Sequence, residues 1–524
     1  MNIIKIILLN LLIISFSYAS TFEELSSKLS DKSFKVKEEV LNELIVNYKE
    51  EDKLEILLQN MLAGNLYFNP TTNEILVSQN ENFKSLFTNE NVQTQEDFSK
   101  IKINNKLRSV IKSGLAKINL FSKNIEKRLK AAKNILANLE QEDAAIVSEA
   151  LASEKNSSVK EILLESDTNL KAKFSIGPEQ IEAIKKLGDF LSAKSLETLT
   201  ALSETSSDEE IKKVAHTSVI QIEESKSFYS FVETAFFGLS QGSVLLLAAI
   251  GLAITFGVMK VINMAHGELI MIGAYTTYTI QQLMPNLIEY SIIIAIPAAF
   301  IVSGIVGILI ERLVIRHLYG RPLETLLATF GVSLVLQQIV RTVYSPLNQE
   351  VKTPSWMSGA LEVNPALFLT YNRLYIIIFS LLVFFAILYV MKKTSLGLKV
   401  RAVSQNRPIA RAMGIKSSFI DAATFGIGSG IAGVAGVALS QLTNVGPNLG
   451  QAYIVDSFMV VVFGGVGNLW GTLIAAFSLG ELNKFIEPLA GAVLAKVIIL
   501  VFIILFIQKR PRGLFPQKGR DAQD

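Results

Sequence analysis

The chain has 524 residues, of which 50% are hydrophobic and 19% are charged, and its mean hydropathy of +0.38 is high for a soluble protein of this length. Its net charge of +3 comes from intermixed Lys and Glu, without the basic and aromatic clusters of nucleic-acid-binding proteins, so no nucleic acid is expected as a partner. The absence of cysteine and the presence of only three histidines exclude disulfides, thiolate chemistry and a His-rich metal centre.

Residues 1–19 predict a secretory signal peptide. Lys5 supplies a weakly positive start, an apolar stretch follows, and Ser17 and Ala19 are small residues suited to cleavage before Ser20. A short N-terminal anchor helix is the alternative, although the apolar run is short for a membrane span. Export would place the segment that follows on the periplasmic side of the membrane.

Residues 20–230 predict an α-helical domain with amphipathic periodicity. The segment 125–137 resembles the segment 181–193, and such spacing favours a HEAT-like repeat, with an irregular helical bundle as the alternative. A small β-hairpin insertion is expected near 64–80, around Asn69-Pro70, and the polar stretch 79–99 is expected to be a loop. We expect an interaction or structural role for this domain.

Residues 231–510 predict a polytopic transmembrane domain, so the fold class is all-α. About eight spans are expected, and the segment 452–466 is too short to cross and is predicted to be a half-helix or a re-entrant piece that ends at Gly464-Gly465. The last apolar stretch is divided near Glu487-Pro488. The predicted segments are 233–258, 263–284, 291–313, 322–343, 373–391, 418–440, 452–466, 468–486 and 489–507.

Basic loops give the orientation of these spans. If the helical domain is exported, Lys260, the segment 312–321, the segment 392–416 and the tail 511–524 all fall on the cytoplasmic side, as the positive-inside rule requires. This predicts a multi-pass protein of a bacterial inner membrane, with a cytoplasmic C-terminus.

Two short motifs of enzymes occur by chance. Gly238-x-Ser240-x-Gly242 matches a nucleophile elbow, but it lies within an apolar span rather than between a strand and a helix. Gly428-x-Gly430-x-x-Gly433 matches a dinucleotide loop, but it also lies within a span. No P-loop sequence occurs, so we expect no enzyme activity and no bound cofactor, and any ATP that drives this protein would be bound by another chain.

Longer segments resemble a known family. Gly251–Tyr275 and Arg401–Ile415 resemble the second-span signature and the cytoplasmic loop of branched-chain amino acid ABC permeases of the LivH type. Leu442–Thr472 looks like the urea ABC permeases of the UrtB type, a branch that also carries a long exported N-terminal extension. The resemblance implies urea as cargo and four kinds of partner: two cytoplasmic ATPase subunits, a second related permease, a periplasmic substrate-binding protein and the lipid bilayer.

The loop 392–416 is the predicted coupling element. Pro408 is suited to begin a short helix and Gly414 to end it, while Ile409, Ala410 and Met413 offer a small apolar surface. A solvated basic loop is the alternative, and the resemblance favours docking to the ATPase. The candidate coupling residues are Arg401, Asn406, Arg407, Pro408, Ala410, Arg411, Met413 and Gly414.

Polar residues and glycines near the ends of spans are candidates for the translocation path. Urea is neutral and needs hydrogen-bond acceptors and donors rather than net charge. Asn263, His266 and Glu268 are expected at the cytoplasmic start of the second span, either lining an inner gate or forming a structural hydrogen-bond knot. Residues that flank the short segment are expected along the outer path or as helix caps. The remaining candidates are Gln337, Asn444, Asn448, Asp456, Gly464, Gly465 and Asn468.

Other functions stay open at the level of sequence. Branched-chain amino acids or short amides are alternative cargoes. A self-contained channel and a membrane-anchored interaction protein are alternatives of a different class.

Overall fold

The computed structural model describes residues 21–48, 51–79, 82–88, 90–92 and 98–516. The predicted signal peptide and most of the predicted cytoplasmic tail lie outside the described residues. The chain divides into two compact units, Met1–Ser225 and Lys226–Asp524. The predicted domain boundary near residue 230 falls within one long helix, Glu209–Met259.

The first unit is mostly helical. Its helices begin where the sequence offers capping residues, and the side-chain oxygens of Asn104, Asn124, Asn156 and Ser192 each accept a hydrogen bond from a backbone N–H of the first turn. Two 3₁₀ turns, Lys28–Ser30 and Gln141–Asp143, accompany them. The helices are α1 (Phe22–Ser27), α2 (Phe34–Asn47), α3 (Asp52–Ala63), α4 (Asn105–Leu120), α5 (Ile125–Ala137), α6 (Ala144–Ser153), α7 (Ser157–Phe174), α8 (Pro178–Leu187) and α9 (Ala193–Thr205).

A five-stranded antiparallel sheet interrupts these helices. Its strands are β1 (Leu66–Phe68), β2 (Ile75–Gln79), β3 (Asn82–Ser85), β4 (Asn91–Val92) and β5 (Ser99–Lys100), in the order β4-β3-β2-β1-β5. The pair β1 and β2 lies within the predicted hairpin segment. The loop predicted over 79–99 was wrong, because β3, β4 and β5 form there. These strands are too short and polar to show alternation, which is why an all-α class was predicted for a chain that is mostly but not wholly helical.

The helices after the sheet pack as successive pairs. Helices α4 and α5, α6 and α7, and α8 and α9 contact each other, and α7 also contacts α5 and α9. The buried apolar stripe of each helix, including Ala132, Leu163, Ile184 and Leu199, supplies the core between neighbours. The HEAT-like repeat itself stays a prediction.

The second unit is a bundle of apolar helices with one two-stranded ribbon. The ribbon pairs β6 (Ala360–Asn364) with β7 (Leu367–Thr370). Short 3₁₀ turns occur at Pro285–Leu287, Ile315–Leu318 and Ser355–Met357. The helices are α10 (Glu209–Met259), α11 (His266–Leu283), α12 (Ile288–Leu313), α13 (Pro322–Tyr344), α14 (Tyr371–Lys393), α15 (Ser395–Gln405), α16 (Arg407–Ala412), α17 (Ser417–Ser440), α18 (Leu449–Gly464), α19 (Leu469–Ala490) and α20 (Ala492–Lys509).

Six of the described helices are long and apolar enough to cross a membrane: α10, α12 with its preceding turn, α13, α14, α17 and α20. The short apolar helix α18 occupies the segment predicted to be a half-helix. The total of about eight spans stays a prediction. The last apolar stretch divides close to the expected Glu487-Pro488: α19 continues through Pro488 and ends where Gly491 adopts a φ of +81°. Glycine adopts a positive φ at little cost, so Gly491 supplies the stop between the two helices.

Helix α17 lies at the centre of the bundle and packs against α11 and α12. Small residues make these contacts close. A Cβ added to Gly273 would lie 2.0 Å from the carbonyl oxygen of Gly433, and one added to Gly436 would lie 2.0 Å from that of Ile270. Backbone-to-backbone packing of this kind stabilises helix pairs in lipid, where no hydrophobic force drives helices together.

Candidate functional site

Helix α11 begins deep inside the bundle. Lys260, with a φ of +56°, ends α10, and the chain then turns back so that His266 Nε2 lies 2.9 Å from the carbonyl oxygen of Ala248. Ala248 lies about 16 Å along α10 from its last residue, Met259, at the usual helical rise. These residues therefore lie at the start of α11, and α11 begins about three turns further into the bundle than the end of α10.

The turn before α11 is held by its own polar groups and by α13. Asn263 Oδ1 accepts a hydrogen bond from the backbone N–H of Ala265 at 3.0 Å. The backbone N–H of Met264 donates to Thr329 Oγ1 at 3.1 Å. Asn263 and His266 are almost completely buried, and their hydrogen bonds fix the backbone that leads into the first turn of α11.

Glu268, in that first turn, is the centre of a buried polar cluster. Its Oε1 accepts hydrogen bonds from Ser333 Oγ at 2.9 Å and from Gln337 Nε2 at 2.7 Å, and both donors are on α13. All three side chains are at most 3% exposed. Glu268 Oε2 is buried without a hydrogen-bond partner among the described residues. A carboxylate at the N-terminus of a helix is favoured by the helix dipole, and its second oxygen keeps the capacity to accept.

The cluster continues along one face of α13. Arg341 lies one turn after Gln337, and its Nη2 donates to Asn448 Oδ1 at 2.8 Å. Asn448 precedes α18, whose Gly450 packs against Gly267: a Cβ added to Gly267 would lie 2.5 Å from the Gly450 carbonyl oxygen. The N-termini of α11 and α18 therefore meet beside the cluster. The structure thus brings the predicted residues Glu268 and Gln337 into contact, and Arg341 links the predicted Asn448 to the same helix.

An aromatic group lies further along α11. The rings of Tyr275 and Tyr344 are 4.8 Å apart, and Tyr278 lies edge-on to both. The Tyr344 hydroxyl is 2.7 Å from Thr279 Oγ1, whereas the Tyr275 hydroxyl is buried without a partner among the described residues. Tyr275 lies about two turns along α11 from Glu268.

Sequence reasoning missed Ser333, Arg341 and the tyrosines. Arg341, in the last turn of a membrane-capable helix, was a detectable signal, because a charge in such a helix needs a partner. The spacing of Tyr275 and Tyr278 on one face of α11 was a weaker signal.

Other predicted path residues lie away from the cluster. Asp456 pairs with Lys496 of α20 at 3.2 Å, and Asn444 is exposed in the loop before α18. Gly464 contacts Gly471, which brings the end of α18 close to the start of α19, and Gly465, with a φ of +103°, turns the chain between them.

Asn468 fits the helix-cap alternative. Asn468 caps α19, and its Oδ1 accepts from the backbone N–H of Trp470 at 3.1 Å. It lies beyond the end of α18, and the 16 residues of that helix separate it from Asn448 by about 24 Å. It shares a cavity with Lys392 and Arg401 instead.

The predicted short helix of the basic loop is α16. Asn406 Oδ1 caps it by accepting from the backbone N–H of Ile409 at 3.0 Å, Pro408 lies in its first turn, and Gly414 follows it with a φ of +83°. Ile409 is 61% exposed and Met413 is 78% exposed, whereas Ala410 is buried. Helix α16 therefore presents an apolar surface outward.

Arg407 points into the protein. Its Nη1 and Nη2 donate to the two carboxylate oxygens of Asp421, on α17, at 2.7 Å each, and its guanidinium lies 4.0 Å from the ring centre of Tyr319. Arg411 Nε donates to Ser417 Oγ at 2.8 Å, and Arg401 donates to the carbonyl oxygen of Met391. The predicted coupling residues thus include an outward apolar set and a set of arginines whose hydrogen bonds fasten α15 and α16.

The family model for the permease component of the branched-chain amino acid transport system matches residues 234–507, and the chain belongs to that family. It is a multi-pass membrane permease component of an ABC-type transporter. The matched residues contain the Glu268 cluster, α16 and α17.

Individual relatives cover the same part of the chain. The permease BraD of Pseudomonas aeruginosa is 29% identical over 295 residues, which are 55% of this chain and 96% of the relative. The permease LivH of Escherichia coli K12 is 29% identical over 301 residues, 55% of this chain and 97% of the relative. The ribose import permease RbsC of Escherichia coli K12 is 25% identical over 294 residues, 51% of this chain and 82% of the relative. No solved structure matches the chain.

Proposed function

We propose that the chain is the permease subunit of an ATP-driven importer that moves urea across the bacterial inner membrane. The observation that carries this proposal is the buried cluster of Glu268, Ser333 and Gln337, extended by Arg341 and Asn448. Urea has one carbonyl oxygen that accepts and four N–H groups that donate. Carboxylate and amide oxygens match its donors, while guanidinium and amide N–H groups match its carbonyl.

The location of the cluster supports a role in the path. The cluster lies deep in the bundle, where the N-termini of α11 and α18 meet. In many transporters, helices that are interrupted at such a depth form the cargo site. The unpartnered Glu268 Oε2 leaves one strong acceptor available. The resemblance of Leu442–Thr472 to urea permeases favours urea among small polar cargoes.

Branched-chain amino acids are the second candidate cargo. The relatives BraD and LivH favour them, since both are named as high-affinity branched-chain amino acid permeases. Glu268 and Arg341 offer one charge of each sign, which suits the ammonium and carboxylate groups of a zwitterion as well. The two cargoes therefore need a direct comparison.

The proposed orientation places the first unit in the periplasm and the C-terminal end of α20 in the cytoplasm. Lys260, Arg312, Lys392 and Lys509 lie at or just beyond the ends of helices that would then finish on the cytoplasmic side. This arrangement satisfies the positive-inside rule.

Coupling to ATP is proposed to begin at α16. Its exposed Ile409 and Met413 suit a groove on an ATPase subunit, because a helix in a groove is held by such apolar anchors. Through its ion pair with Asp421, Arg407 transmits a movement of α16 to α17. Helix α17 in turn contacts α11 through Gly433 and Gly436. Helix α11 carries Glu268, so the docking surface and the cluster belong to one connected set of rigid helices.

The proposed assembly contains two cytoplasmic ATPase subunits, a second related permease and a periplasmic substrate-binding protein. ATP would be bound by the partners. The first unit is proposed to act by interaction, as its paired helices are suited to contact a periplasmic partner.

Uptake by the complete complex in proteoliposomes tests this function. Labelled urea and labelled leucine are supplied outside with the binding protein, and ATP is enclosed with the ATPase domains. We expect ATP-dependent uptake of urea that exceeds uptake of leucine. Uptake of leucine alone would replace the cargo, and uptake of urea by this chain without ATPase subunits would establish a channel instead.

A further inference from the structure

A cavity of about 620 Å³ opens at the end of the second unit where α10 and α14 finish. It lies between these helices, α15, the turn before α19 and the segment that follows α20. Its polar lining includes Lys392, Arg401, Gln405 and Asn468. This cavity is separate from the Glu268 cluster and has no role in the proposed path.

The charge of this cavity is positive without compensation. Lys392 and Arg401 line it, and no Asp or Glu does. Neither cation forms an ion pair with a carboxylate of the described residues, since Arg401 donates to a backbone carbonyl and Lys392 is exposed. Two neighbouring cations facing one cavity, without an acid, attract an anion.

Most of the remaining lining is apolar. Ile254, Leu388 and Leu469 contribute aliphatic surface, and Trp470 is 43% exposed. Tryptophan is enriched at the level of lipid headgroups, and Lys392 is the penultimate residue of a membrane-capable helix. The cavity is thus amphipathic, with cations at the rim and an apolar wall below.

We propose that this cavity binds the phosphate-bearing headgroup of an anionic lipid, with the first part of an acyl chain against Leu388 and Trp470. Basic pockets between membrane helices on the cytoplasmic side are suited to such headgroups. The bound lipid connects α14, α15 and the turn before α19, so it steadies α15, which directly precedes α16. An anionic lipid therefore stabilises the position of the docking helix α16 through α15.

The test uses the complete transporter in nanodiscs of phosphatidylcholine with a minority of phosphatidylglycerol, followed by native mass spectrometry. We expect the wild-type complex to retain phosphatidylglycerol, and the Lys392→Gln/Arg401→Gln variant to lose retention by on the order of tenfold. The matched control is Lys393→Gln/Lys399→Gln, which removes the same charge from exposed lysines of α14 and α15 that do not line the cavity. Equal retention in both double variants would overturn the proposal.

Two further measurements identify the source of the anion and test whether a variant is misfolded. Free glycerol phosphate at the same concentration is expected not to displace the lipid, and displacement would assign the site to a soluble phosphate instead. Lys392→Gln alone removes an exposed side chain, and it is expected to lower retention several-fold while the complex stays assembled. Loss of the ATPase subunits from this variant with unchanged lipid retention would show that the cavity contacts a protein partner. Lipid retention is measured without cargo or ATP, so its outcome is independent of the proposed cargo.

Discussion

Arg407 and Asp421 form a bidentate ion pair between α16 and α17, with both N–O distances at 2.7 Å and with the two side chains 17% and 6% exposed. Parallel hydrogen bonds of this kind fix the direction of an arginine as well as its distance. The pair therefore fastens the short docking helix to the most central helix of the bundle. Because α17 packs on α11 through glycines, the link reaches the helix that carries Glu268.

Removal of one partner of this pair is expected to be costly. Arg407→Gln leaves Asp421 largely buried without its cation, and a loss of about 3 kcal/mol is typical for such a change. Thermal unfolding of the purified chain checks this, with exposed Lys416→Gln as the control for charge. The Arg407→Gln/Asp421→Asn double variant is expected to be less destabilised than the sum of its single variants, and full additivity would show that the two residues do not act as a pair.

The apolar surface of α16 is expected to bind the ATPase subunits. Ile409→Ser removes an outward anchor that is 61% exposed, so the chain itself should fold normally while co-purification of the ATPase falls by about tenfold. Leu398→Ser is the matched control, because Leu398 is 62% exposed on the neighbouring helix α15. An equal loss in both variants would argue against a specific docking helix.

Substitutions of Glu268 separate its structural and transport roles. Glu268→Ala leaves the hydroxyl of Ser333 and the amide of Gln337 buried without their acceptor, which costs about 1–3 kcal/mol for each group. Glu268→Gln keeps an amide oxygen that accepts from both, so its thermal stability is expected to stay close to the wild type while uptake falls. Wild-type uptake by Glu268→Gln would assign the residue a purely structural role.

Close packing of α11 on α17 is tested at a single glycine. Gly273→Ala places a methyl group where the Gly433 backbone lies, and we expect a marked loss of thermal stability because neither backbone has room to yield. Gly331→Ala is the control, since no atom lies within 4 Å of its added Cβ and alanine favours the helix. A Gly273→Ala variant as stable as Gly331→Ala would contradict the close contact.

The first unit is expected to depend on pH through Glu154. Arg128 donates to both of its carboxylate oxygens, at 2.8 and 3.1 Å, and this lowers the pKa of Glu154 below its ordinary value of 4.5. A lowered carboxyl pKa stabilises the folded state above the ordinary value, and that stabilisation is lost as the pH falls through the lowered value.

Hydrogen exchange of the full chain measures this effect in α5 and α6. Glu154→Gln is expected to reduce amide protection near neutral pH, and the difference from wild type should shrink as the pH falls below 4.5. Glu149→Gln, an exposed position of α6, is the control and should show no such trend. A difference that stays constant across this range would exclude the ion pair as its cause.

Local signals in the sequence were sufficient for local structure. Pro408 and Gly414 predicted α16 because a proline start and a left-handed glycine stop are properties of the adjacent chain. Apolar length likewise predicted the long helices. The polar strands β3 to β5 escaped notice because pairing with neighbours, rather than alternation, holds them in a sheet.

Contacts between distant segments were beyond such signals. Glu268 meets Ser333 and Gln337 across more than sixty residues, and nothing in either segment indicates that the two meet. Asn468 was left open between the outer path and a helix cap, because the sequence alone does not give the direction in which α18 runs through the bundle. Arg407 was expected on a docking surface, but its partner Asp421 turns it inward.

The ratio of ATP hydrolysed to urea taken up by the reconstituted complex tests the proposed coupling of ATP hydrolysis to urea transport. We expect a low ratio for the wild type. For Arg407→Gln we expect an assembled complex that still hydrolyses ATP but moves little urea, so that the ratio rises. An unchanged ratio in Arg407→Gln, with ATP hydrolysis and uptake of urea both at wild-type levels, would contradict the proposed link from α16 through α17 to the Glu268 cluster.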